Sequence, residues 1–141
     1  MDVGRIISML LEREGITGTR LSEISGVAQN MISDYKRNVK NPRFRTFVKI
    51  INAIGYELLV KDARGKLLRC NDFGVIVEYI LIHEELTFSK LEALSGVNDS
   101  HMRQYTRKMA QPTMCVADRI LASVEYQFKI RKLKEKKDDQ N

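Results

Sequence analysis

The sequence predicts a mostly α fold of two tandem four-helix units, with a short β-hairpin after the first. Three observations predict it. The chain repeats itself without a gap at a shift of 70 residues. Apolar residues in both copies recur at helical spacing. Two β-prone runs around a turn ending in glycine follow the first copy and have no counterpart after the second.

The repeat sets the organisation. It lays Leu21-Ser22-Glu23-Ile24-Ser25-Gly26-Val27 on Leu91-Glu92-Ala93-Leu94-Ser95-Gly96-Val97, and one register holds from Asp2/Asp72 to Tyr56/Tyr126. Identical pairs include Gly4/Gly74, Leu11/Leu81, Thr17/Thr87, Tyr35/Tyr105, Arg37/Arg107, Pro42/Pro112 and Ile50/Ile120. The expected division is a first domain over 1–55, a hairpin and linker over 56–71, a second domain over 72–134 and a frayed, disordered tail over 135–141. At about 70 residues each half is near the lower limit for a self-sufficient core. The halves are expected to lean on each other or on a second chain.

The first helix of copy one places Val3, Ile6, Ile7, Leu10 and Leu11 on one face, and copy two places Phe73, Ile76, Val77, Ile80 and Leu81 there. The second helix starts at Thr17 or Thr87, whose hydroxyl suits an N-cap. Ile16 with Leu21, and Leu86 with Leu91, fit a hydrophobic staple around that cap. Gly26 and Gly96 allow the tight turn that ends it. The third helix runs from about Gln29 to Arg37, and from Asp99 to Arg107, before Pro42 and Pro112 mark the next loop. The fourth buries Phe47, Ile50, Ile51 and Ile54, matched by Ala117, Ile120, Leu121 and Val124. Copy one then reads Tyr56 to Lys61, a turn through Gly65, and Lys66 to Arg69 as a hairpin. A lone hairpin is marginal in water, so it needs a helix of this chain or a partner's strands to pack on. Copy two is expected to continue through Tyr126-Gln127-Phe128-Lys129-Ile130-Arg131 as more helix.

Composition narrows the function. The net charge is +6, and residues 1–70 hold 13 Lys/Arg against 7 Asp/Glu, whereas residues 71–141 hold 11 of each. Basic surface concentrated in one half is what a phosphate-binding face requires. No apolar run approaches the length of a membrane helix, and the N-terminus enters an amphipathic pattern directly, so neither a signal peptide nor membrane attachment is expected. Cys70 and Cys115 form no CxxC and read as reduced thiols in a cytoplasmic protein. No metal or cofactor is expected. His83 and His101 have no evident catalytic partner, and no triad order, paired-acid motif or phosphate loop stands out, so the chain does not read as an enzyme.

Two helices joined by a short glycine-containing turn form a DNA-reading unit. Thr17, Leu21-Ser22, Ile24, Gly26-Val27, Gln29-Asn30, Ile32-Ser33, Tyr35 and Arg37, followed by Asn41-Pro42, resemble the Xre-type helix-turn-helix family of phage repressor and Cro proteins. The resemblance covers copy one fully and copy two more weakly, and implies two tandem helix-turn-helix domains of the repressor/Cro type. The chain departs from the family at Lys36, usually Glu, at Asn38, usually Gly, and at Ala28, usually a Ser or Thr cap.

At about 100° per residue, Gln29, Asn30, Ser33, Asp34 and Arg37 span one polar face of roughly 140° on the third helix, with Ile32 and Tyr35 behind it. These five are the expected base readers of double-stranded DNA. Gln29 and Asn30 suit adenine edges. Arg37 suits phosphate or guanine, and Asp34 either accepts from cytosine or opposes phosphate. Expected phosphate contacts are Thr19, Arg20, Lys36, Lys40, Arg43 and Arg45. The matching face of copy two carries Ser100, Arg103, Gln104, Arg107 and Lys108, a second candidate DNA site, although Asp99 replaces Gln29 and the loop of residues 110–115 lacks cations. Copy two is therefore left with DNA contact, dimerisation or docking, and a homodimer through the hairpin or the second domain stays open. The expected function is a sequence-specific transcriptional regulator. The alternative is a protein-binding module on the same scaffold, antitoxin-like or a phage inhibitor.

Overall fold

The computed structural model describes residues 1–69 and 71–133. Cys70 and the expected tail of residues 135–141 lie outside the described residues, as does residue 134. The first half runs α1 (Val3–Glu14), α2 (Gly18–Ser25), α3 (Gln29–Lys36), α4 (Phe44–Ile54), β1 (Tyr56–Lys61) and β2 (Leu67–Arg69). The second half runs α5 (Phe73–His83), α6 (Phe88–Ser95), α7 (Asp99–Thr106), α8 (Met114–Ser123) and β3 (Gln127–Lys132). The bounds of α6 and α7 are those of α2 and α3 moved by 70 residues. No helix among the described residues is long and apolar enough to cross a membrane.

Local chemistry sets the helix ends. Asp2 caps α1 by accepting from the Arg5 N–H at 3.0 Å, and Thr17 caps α2 by accepting from the Arg20 N–H at 3.1 Å. Thr87 does the same for the Lys90 N–H. Gly26 ends α2 at φ 75°, where a side chain would be strained. Asn38 occupies the left-handed region at φ 56°, and its amide both accepts from the Gly4 N–H and donates to Asp2. Gly4 itself is required by close approach. A Cβ there would stand 2.5 Å from the Lys36 carbonyl oxygen. Gly74 abuts the Tyr105 carbonyl in the same way.

The three strands form one antiparallel sheet in the order β2-β1-β3. This corrects the expectation of further helix over residues 126–131. Phe128 is buried and Ile130 half-buried, while Gln127, Lys129 and Arg131 are exposed, a two-residue period that suits a strand with one covered face. Glu125 breaks the helix at φ 63° without the glycine that Gly55 supplies in the first half, so the usual stop signal is missing. β3 pairs with the second edge of β1, so the hairpin packs against a strand of its own chain.

The two halves share one apolar core. Phe44 of α4 lies 5.4 Å from Phe73 of α5 and 6.1 Å from Phe128 of β3, ring centre to ring centre. All three rings are buried, together with Phe47, Ile50, Ile51, Ile80, Ile120 and Leu121. The Phe44 N–H donates to the Pro112 carbonyl at 2.7 Å, and the Met114 N–H donates to the Pro42 carbonyl at 2.8 Å. The expected mutual support of two small halves therefore comes from within one chain.

Candidate nucleic-acid interface

The turn between α2 and α3 is tied by short polar contacts. The Ser22 hydroxyl donates to the Val27 carbonyl at 2.7 Å, and the Val27 N–H donates to the Ser25 hydroxyl at 3.1 Å. Leu21 on α2 and Ile32 and Tyr35 on α3 are buried, which locks the inner faces of both helices. The outer face of α3 is left in solvent, with Gln29, Asn30 and Ser33 exposed. Ala28 gives α3 no side-chain cap, so among the described residues its first N–H groups lack the capping bond that α1 and α2 receive.

The polar residues of this face differ in how free they are. The Gln29 amide donates to the Thr19 hydroxyl at 2.9 Å, which holds the Gln29 side chain against the start of α2. Asp34 is half-buried, and its carboxylate accepts from Arg37 at 2.9 Å and lies 3.9 Å from Lys40. Asp34 is thus engaged with two cations of its own half. Arg20 is paired with Glu23 at 3.5 Å, both well exposed. Lys36 is exposed beside the stripe.

Two of the expected phosphate contacts, both exposed, also engage the second half. Arg43 donates to the Gln111 carbonyl at 2.8 Å, and Arg45 pairs with Asp72 at 3.0 Å. Both bind residues of the second half across the seam, a placement that local sequence does not signal. Sequence reasoning also missed the Thr19–Gln29 contact and the Asn38 bridge to α1. Both contacts reach beyond a single helix, so helical periodicity within one element carries no sign of them.

The second face is built on the same plan with different side chains. Asn98 caps α7, and Glu92 accepts from the Asp99 N–H at 2.6 Å. The Arg103 guanidinium lies 4.4 Å from the Phe88 ring centre and 4.0 Å from Asp99. Gln104, Arg107 and Lys108 are exposed, and Ser100 is exposed with its hydroxyl on Asn98. His101 is exposed on the same helix, whereas His83 stacks on Tyr79 at 3.8 Å.

Residues 7–60 match the family model described as Helix-turn-helix. The N-terminal half carries a helix-turn-helix domain. The matched stretch contains the whole of α2, the glycine turn and α3, the elements that hold the exposed stripe. The match supports a DNA-binding helix-turn-helix regulator. No curated protein and no solved structure matches the chain.

Proposed function

We propose that the protein is a sequence-specific regulator of transcription that inserts α3 into the major groove of duplex DNA. One observation carries the reading. Gln29, Asn30 and Ser33 are exposed on a helix whose other side, Ile32 and Tyr35, is buried in the core of a helix-turn-helix domain. Gln29 and Asn30 hydrogen-bond base edges, with adenine the best fit to an amide. Thr19, Arg20, Lys36 and Lys40 surround them as phosphate contacts, and Arg37 joins them when it leaves Asp34. Repression by occupancy of an operator is the simplest output of such a domain.

The test is selection of bound fragments from a random duplex pool by the full chain. Recovery of a common sequence motif supports the reading. Binding that shows no preference over random duplex at any salt concentration refutes it. The protein-binding alternative draws on the exposed Val75, Ile82, Leu94 and Met109 of the second half. That alternative predicts a partner whose capture survives charge reversal of Lys36 and Lys40.

A further inference from the structure

The contacts between the halves obey a two-fold relation. Leu59 pairs with Lys129, and Arg43 bridges to Thr113, and in each pair the partners occupy equivalent positions 70 residues apart. Around Leu59 the contacts are reciprocal. Leu58 pairs with Ile130 while Val60 pairs with Phe128, and Glu57 pairs with Arg131 while Lys61 pairs with Gln127. The Phe44–Pro112 and Met114–Pro42 hydrogen bonds exchange under the same operation. A contact in which i meets j′ and j meets i′ is isologous, the signature of a two-fold axis. The axis runs past Leu59/Lys129 and Arg43/Thr113 and relates α3 to α7.

The surroundings of α7 supply what its own loop lacks. Arg43 of the first half lines one shallow groove with His101, Gln104 and Gln111. It lines the adjoining groove with Arg45 and Lys108. The exposed Lys90, Arg103, Arg107 and Lys108 belong to the second half itself. Against these cations stand Asp99 and Glu92, the first near Arg103 and the second holding the Asp99 N–H. At the seam the Asp72 carboxylate is already paired with Arg45.

We infer that α7 is a second, non-identical DNA-reading helix, and that one chain binds two unlike half-sites in inverted orientation. The inference rests on the proposed role of α3. Duplex DNA has its own local two-fold axes, so helices related by a two-fold axis meet inverted half-sites, whereas a translation would require direct repeats. Helix-turn-helix regulators with this symmetry are commonly dimers of two chains. Here the sheet β2-β1-β3 and the Phe44–Pro112 and Met114–Pro42 hydrogen bonds join both reading helices in one chain. The half-sites differ because Gln29, Asn30 and Ser33 on one helix correspond to Asp99, Ser100 and Arg103 on the other. Gln104 is exposed and has no side-chain hydrogen bond within the protein among the described residues. It is the reader assigned to adenine in the second half-site.

The experiment is the same pool selection with three full-length proteins: wild type, Gln104→Ala with Lys108→Ala, and Gln29→Ala with Asn30→Ala. Chains per bound duplex are counted by sedimentation equilibrium. The expected wild-type result is two unlike half-sites in inverted orientation with one chain per duplex. The Gln104/Lys108 variant should lose preference in the second half-site only, with affinity down about tenfold or more. One half-site, a direct repeat, or two chains on a symmetric site would each overturn the inference while leaving the α3 reading intact. Loss of all sequence preference in the wild type would instead refute the α3 reading. Circular dichroism of each variant separates loss of reading from loss of fold.

Discussion

Leu59 stands opposite Lys129 in the β1–β3 ladder, at equivalent positions of two halves that share a single sheet. One strand of each half thus completes the other's sheet, and the seam between them is filled by Phe44, Phe73 and Phe128. Energetic coupling of the halves follows from this arrangement.

Unfolding should therefore be one cooperative transition. Phe44→Ala removes a ring that touches both Phe73 and Phe128 and should cost about 3–5 kcal/mol. Urea titrations followed by circular dichroism and by tyrosine fluorescence should give coincident curves for the wild type. Two separated transitions in the wild type would refute the shared core.

Base readers and phosphate contacts should separate by salt dependence. Gln29→Ala and Asn30→Ala should each weaken specific binding by about 1–3 kcal/mol and relax base preference, with the salt slope unchanged. Lys36→Ala and Lys40→Ala should weaken binding to every sequence and lower the slope by about 1 each. Equal loss on specific and random duplex for the Gln29 change would remove it from the readers.

Asp34 restrains Arg37. Asp34→Asn breaks a contact of 2.9 Å to an arginine whose side chain is 65% exposed, so the stability change should stay within about 1 kcal/mol. The freed Arg37 should raise non-specific DNA affinity and steepen the salt dependence. Titration of random duplex at two salt concentrations checks this, and unchanged affinity would mean that Arg37 does not reach phosphate.

Gly4 sets the spacing between α1 and the end of α3. In Gly4→Ala the new Cβ meets the Lys36 and Tyr35 carbonyl oxygens at 2.5 and 2.8 Å, and backbone cannot yield cheaply. Destabilisation of about 1–3 kcal/mol is expected, measurable as a lower urea midpoint. A neutral substitution would show that α1 can shift without loss.

Acid should destabilise the fold through a repeated pair. The Tyr56 hydroxyl donates to Glu14 at 2.8 Å and the Tyr126 hydroxyl donates to Glu84 at 2.7 Å. These bonds, aided by Lys132 at Glu14 and Arg64 at Glu84, hold both carboxyls below their ordinary value of 4.5. Burial pushes Asp62 upward, but the Lys66 and Arg64 N–H groups and the Tyr79 hydroxyl outweigh it and leave it lowered as well. A carboxyl lowered on folding contributes stability that is fully present above its unfolded value and is lost as pH falls through its folded one. Stability should thus decline as the pH drops below about 4.5. Glu14→Gln with Glu84→Gln should flatten that decline in urea midpoints measured between about pH 3 and 7. A double variant that follows the wild-type curve would assign the acid sensitivity to other groups.

The elements that sequence made legible are those written in short-range chemistry. Thr17 and Gly26 mark α2, the spacing of Ile32 and Tyr35 marks the inner side of α3, and Gly65 at φ 91° marks the hairpin turn. Each signal acts within a few residues. β3 was not legible, because its pairing partner lies 70 residues away and Glu125 ends α8 without a glycine. Within the candidate interface, the exposure of Gln29, Asn30 and Ser33 follows from helical periodicity. The engagement of Asp34 by Arg37 depends on side-chain reach, and that of Arg43 by Gln111 on the meeting of two distant loops.

The sequence by itself determined the helices, their caps, the glycine turn and the composition of the two polar faces, since periodicity and capping are properties of neighbouring residues. Only the tertiary structure decided that β3 completes the sheet, that Arg43 and Arg45 lie at the seam, and that the β1–β3 contacts are reciprocal about Leu59 and Lys129. Those features arise from packing between residues far apart in the chain, where burial of the shared core selects one arrangement among those that local preferences allow.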